Sequence, residues 1–197
     1  MIAALTGMGL GAAAGLNAYI PFLVVALLAR FTDLVDLPSG LGWMGSWWAI
    51  GIGALLLLTE ITLDKIPAVD TLNDAVQTFI RPSMGGLMGA AAVGAGRLDQ
   101  SSWMQDNPWV TVLLGVVVAG LVHTGKAASR PVVNAGTLGA GAPVLSGLED
   151  GASVGIALVA IFIPVLIVLV LVLLAAALLW IIGAWRRLQR RGHPSPA

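Results

Sequence analysis

The chain has no cysteine, which excludes disulfides, thiolate metal sites and thiol nucleophiles together and leaves the redox compartment open. Charge is scarce as well. Only 10% of residues are Asp, Glu, Lys or Arg, against about a quarter in soluble domains, and mean hydropathy is +0.94. No zinc-ligand spacing, Ser/His/Asp triad, dinucleotide fingerprint or nucleic-acid patch is present; GKAAS at 125–129 lacks the glycine frame and preceding strand of a phosphate-binding loop. The opening MIAALTGMGLG carries no basic n-region, so it reads as part of the protein proper rather than as a cleaved signal.

What is there is 58% hydrophobic residues in long runs, the pattern of an all-α integral membrane protein with about five transmembrane helices. Segment A (2–29) holds no charge and exceeds the roughly 30 Å hydrocarbon thickness at about 1.5 Å per residue. Segment B (47–63) carries Glu60 in its last turn, and a carboxylate at that depth must face protein or water. Segment C (83–96) is short, either a tightly packed span or a re-entrant helix. Segment D (109–122) and the long segment E (151–185), kinked at Pro164, complete the set. A single membrane domain over 1–185 is followed by a basic tail, 186–197, with Arg186, Arg187, Arg190 and Arg191. By the positive-inside rule that tail is cytoplasmic, with the polar connectors on the opposite side and the loops bearing Arg30 and Arg97 inside. Eight arginines to two lysines in an Ala/Gly/Leu/Val background suggest a bacterial plasma (inner) membrane.

A repeat organises the middle of the chain. Positions 48–94 align without gaps on 109–155, matching Trp48/Trp109, Lys65/Lys126, Asn73/Asn134, Pro82/Pro143 and Gly86/Gly147 among others. Repeat one thus spans 48–108 and repeat two 109–169, extending to 185, each a hairpin with a polar connector. Connector P (64–82) is an amphipathic helix with Val69, Leu72, Val76 and Phe79 on one face and Asp70, Asn73, Asp74 and Gln77 on another; connector Q (123–143) has more glycine and fewer carboxylates. Both are interfacial or re-entrant.

Two constellations follow. Glu60, Asp64, Lys65, Asp70, Asn73, Asp74 and Arg81 contain two i, i+4 carboxylate pairs, which are either a solvated connector with internal salt bridges or an ion or solute site. His123, Thr124, Lys126, Ser129, Arg130 and Asn134 form the cationic counterpart, suited to a phosphate or carboxylate. His123 is either packed or a proton carrier. Asn17, the strongly polar residue of segment A, is either helix-linking glue or a substrate contact. The stripe Gly7, Gly11, Gly15 permits close helix approach and a possible homo-oligomer.

The blocks GLNAYIPF, DKIPAVDTLND with IRPSMGG, and HTGKAASRPVVN followed by PVLSGLED resemble a bacterial membrane family, domain of unknown function 4126. The resemblance implies a small multi-span membrane protein and brings no activity, cofactor or site residue. The residues themselves favour a transporter or channel-like protein for an ion or small polar solute, its pocket formed where P and Q meet. A structural or partner-binding membrane protein is the alternative, and a metal-dependent lipid-modifying enzyme using Asp64, Asp70 and Asp74 a third. No cofactor, catalytic residue or nucleic-acid partner is implied; the lipid bilayer is the expected surrounding.

Overall fold

The computed structural model describes residues 1–94, 106–138 and 140–191, with the side chains of 67, 68, 70, 71, 132, 134, 135, 181, 182 and 184–191 left aside. Seven α-helices make up these residues: α1 Ile2–Leu16, α2 Tyr19–Phe31, α3 Trp47–Leu63, α4 Pro67–Ala92, α5 Trp109–Thr137, α6 Ala142–Phe162 and α7 Ile167–Arg191. Short 3-10 turns cover Gly42–Gly45 and Pro164–Leu166. Two stretches, Trp109–Pro131 and Ala142–Phe162, are long and apolar enough to cross a membrane, fewer than the five expected; Ile2–Leu16, Tyr19–Phe31, Trp47–Leu63 and Pro164–Trp180 are shorter apolar helices.

Segment A is not one helix. Asn17 takes an extended conformation (φ −146°, ψ 123°), and its Oδ1 accepts from the Tyr19 and Ile20 backbone N–H groups at 3.0 and 3.2 Å. It thereby caps a new helix, with Pro21 set in the first turn where its missing N–H costs nothing. The chain reverses there: Tyr19 lies beside Glu60 and Arg81, whereas Phe31 packs edge-on against Trp47 at the other end of α3.

α1 is the buried axis. A Cβ built on Gly11 would stand 2.7 Å from the Gly115 carbonyl oxygen, and one on Gly15 2.7 Å from that of Ala119, so α1 and α5 run side by side with their backbones nearly touching. Gly7 faces Gly89 and Ala92 of α4 at the far end of the same helix. The glycine stripe is therefore covered inside the chain, not offered to a second copy. Leu10, Ala13, Val25, Met44, Met88 and Ile167 close the core around it.

Other boundaries also move. Connector P and segment C are one continuous helix, α4, through Pro82, and segment D runs on into connector Q as α5, through Pro131. Segment E divides at Ile163, whose backbone leaves the helical region just before Pro164. The gapless repeat places Lys65 opposite Lys126, but Lys65 is exposed in the turn between α3 and α4 while Lys126 is buried in mid-α5. Helix α7 starts against Gly9, passes Gly125 at Leu178 and continues to Arg191. Its basic end thus projects at the same end of the bundle as the connectors, not the opposite one, because splitting segment E at Ile163 adds a reversal between α6 and α7.

Candidate functional site

Helix α1 ends inside the protein, and its last carbonyls need donors. Arg81 Nη1 donates to Gly15 O at 3.1 Å, Lys126 Nζ to Leu16 O at 2.9 Å and Ser153 Oγ to Ala13 O at 2.9 Å. Two of these donors are cations, which also suit the negative end of the helix dipole. Around them gathers a buried charge cluster from four helices, α3 to α6, and the α3–α4 turn.

Arg81 is fully buried and pairs with Glu60 Oε1 at 2.7 Å, its Nη2 lying 3.8 Å from Asp64 Oδ2. Asp64 is the hub: its Oδ2 meets Lys126 Nζ and Arg130 Nη2, both at 2.9 Å, and its Oδ1 accepts from Asn73 Nδ2 at 2.8 Å. Burial by itself raises the Asp64 carboxyl, but the charges of Lys126 and Arg130 outweigh it and hold the group below the usual carboxylate range. Glu149 of α6 receives Arg130 at 2.6 Å and Lys126 at 3.1 Å. Asp150 accepts from Asn17 Nδ2 at 2.9 Å, tying the α1–α2 break to α6.

A hydrogen-bond relay fixes the histidine. Arg81 can only donate, so His123 Nδ1, 3.3 Å from Arg81 Nη1, accepts; the ring proton then sits on Nε2 and points to Thr78 Oγ1 at 3.0 Å, and Thr78 in turn donates to the Asp74 carbonyl at 2.9 Å. The network assigns a neutral Nε2–H tautomer.

The outward surface at this level is apolar. On α4, Asp74, Gln77 and Arg81 are buried, while Leu72, Val76 and Phe79 are exposed, Phe79 by 79%. On α5, His123, Lys126 and Arg130 face in; on α6, Glu149 and Ser153 do so while Val144 and Leu148 face out.

Of the residues marked in the sequence, the fold brings together Glu60, Asp64, Asn73, Asp74, His123, Lys126, Arg130 and Asn17, the last through Asp150. Lys65 is exposed and stands apart; Thr124 is exposed and Ser129 bonds its own helix, to Lys126 O. The side chains of Asp70 and Asn134 lie outside the described residues, as do Arg97 and the arginine side chains of the tail. Glu149 and Asp150 were missed. They are the sole charges between Arg130 and Arg186, and an isolated acidic pair in so apolar a stretch is itself a signal. The dipeptides Arg81-Pro82 and Arg130-Pro131 were a second one: each buried arginine precedes a helix-interior proline.

Beside the cluster, a cavity of about 400 Å³ lies between α5 and α7, lined mainly by Leu121, Val122, Leu174 and Leu178 and touching Lys126 and Glu149. A family model described as Domain of unknown function (DUF4126) matches residues 4–184. No curated protein and no solved structure matches the chain.

Proposed function

The chain belongs to this family of unknown function, and from its geometry we propose a small polytopic membrane transporter or channel-like protein for an ion or small polar solute, with the charged cluster as its binding site. One observation carries the reading: the bundle is polar inside and apolar outside at the same level, with Arg81 fully buried and Phe79, two residues earlier on the same helix, 79% exposed. Water would reverse that arrangement, whereas lipid requires it. A short helical hairpin broken at Asn17, with the carbonyls at the end of α1 turned to Arg81 and Lys126, is the kind of interrupted helix that membrane carriers use to hold ions.

In this reading the helices cross a bacterial inner membrane, with α1 and α2 as a re-entrant hairpin, and the end bearing the connectors and the arginines of α7 is cytoplasmic. The alternative is a structural protein in which the ion pairs are glue, favoured by Lys126, whose ammonium already has three acceptors in Leu16, Asp64 and Glu149. The metal-dependent enzyme is the weakest reading, because Asp64 already faces Lys126, Arg130 and Arg81, whose charges repel a divalent ion.

Reconstitution tests the proposal. Liposomes carrying the protein and a pH- or ion-sensitive dye should respond to imposed gradients of sodium, potassium, phosphate or acetate, and Arg130→Ala should abolish the response. No flux of any of these, with folded protein inserted, counts for the structural reading.

A further inference from the structure

The cluster holds more acid than base, and the excess has an address. Among the described residues, Arg81, Lys126 and Arg130 are its cations, and each has a carboxylate of its own: Glu60 at 2.7 Å, Asp64 at 2.9 Å and Glu149 at 2.6 Å. Asp74 and Asp150 are left over. Asp150 is half-buried and holds the Asn17 amide, so water can hydrate its charge. Asp74 is 8% exposed, its Oδ1 has no hydrogen-bond partner, and its Oδ2 lies 3.9 Å from Arg130 Nε, beyond a hydrogen bond.

Resting on the reading of the cluster as a transport site, we infer that Asp74 is its proton-binding residue, a carboxylic acid that takes up and releases one proton as the site works. A buried carboxylate with one oxygen unpartnered is costly, and protonation removes the charge without importing an ion. A metal cation fits less well. The Arg130 guanidinium faces Asp74 from α5, and Lys126 and Arg81 add positive charge from α5 and α4; among the described residues, Asp64 of the α3–α4 turn and Glu149 of α6 oppose them, both already paired. His123, on α5, reaches the Asp74 backbone through Thr78 and is neutral in the relay, so it does not supply the missing charge. Ionisation of Asp74 pulls on Arg130, the side chain that also bridges Asp64 and Glu149. Proton binding there thereby weakens the attraction between α4 and α5 at Asp74 and leaves Arg130 to Asp64 and Glu149.

Infrared difference spectroscopy on the purified full chain in lipid nanodiscs, titrated from acid to alkaline pH, reads the proton directly. The wild type should show a buried carboxylic acid C=O band that titrates in this range, lost in Asp74→Asn, shifted in Asp74→Glu and retained in Asp150→Asn. A wild type with no such band, or a band unchanged in Asp74→Asn, overturns the inference. Should Asp74→Asn not fold, a band unshifted in Asp74→Glu overturns it equally. The measurement needs no flux: the band without liposome transport removes the transport reading and leaves the proton site, while transport without the band removes the proton site alone.

Discussion

Arg81 donates to the carbonyl of Gly15 at 3.1 Å, joining a fully buried guanidinium to the last turn of the central helix, 66 residues earlier in the chain. The same side chain holds Glu60 at 2.7 Å, so it serves as helix cap and counter-ion at once.

Replacing Arg81 by Leu leaves Glu60 as an unpaired buried charge, a change that costs about 3 to 5 kcal/mol. Lys65→Leu, at an exposed turn position, should stay within about 0.5 kcal/mol of wild type. Melting curves in detergent compare the two, and equal losses would contradict the central placement of Arg81.

Asn17→Asp keeps the oxygen that caps α2 but sets a carboxyl against Asp150 in place of the amide. Two facing carboxylates repel, so this variant is less stable than wild type in a detergent melt, and adding Asp150→Asn, which swaps the acid and the amide, recovers stability. No recovery in the double variant would show that the two side chains do not face each other.

The Asp64 hub makes stability depend on pH. Its folded carboxyl lies below the usual range, so its stabilisation is complete above the unfolded value of about 4 and fades as pH drops through the folded value. Asp64→Asn should be strongly destabilised at pH 7, with the gap to wild type narrowing in acid; a gap that widens in acid would refute the pairing with Lys126 and Arg130.

Gly11 sits against the Gly115 backbone, where an added Cβ would come to 2.7 Å, while Gly51 on α3 has open space. Gly11→Ala should cost about 1 to 3 kcal/mol through forced separation of α1 and α5. Gly51→Ala should be neutral or stabilising by about 0.5 to 1 kcal/mol through helix propensity. The order of the two melting midpoints decides the matter.

Because the chain lacks cysteine, introduced thiols report topology without background. In the proposed membrane orientation, Lys65→Cys and Gln189→Cys should label from one side and Gly40→Cys from the other. Labelling of positions 65 and 189 from opposite sides would restore the simple five-span arrangement.

The sequence by itself determined that the chain is helical and apolar, that it belongs with the matched family, and that charges on such helices must turn inward. These follow from composition and from 3.6-residue periodicity, which act locally: Asp74, Gln77 and Arg81 share a face however the helices later pack. Only the tertiary structure decided where segment A breaks, since Asn17 becomes a cap when Asp150, 133 residues away, holds its amide. It also decided which acid each base meets. Lys126 matches Lys65 in the aligned repeat, yet one is buried against Asp64 and the other is exposed; helix boundaries separate them, and a hydropathy window cannot see those boundaries where Pro82 and Pro131 sit inside continuous helices. The pairing of a buried charge depends on which helix lies opposite, and that is set by close backbone contacts such as Gly11 on Gly115 rather than by anything near the charge in sequence.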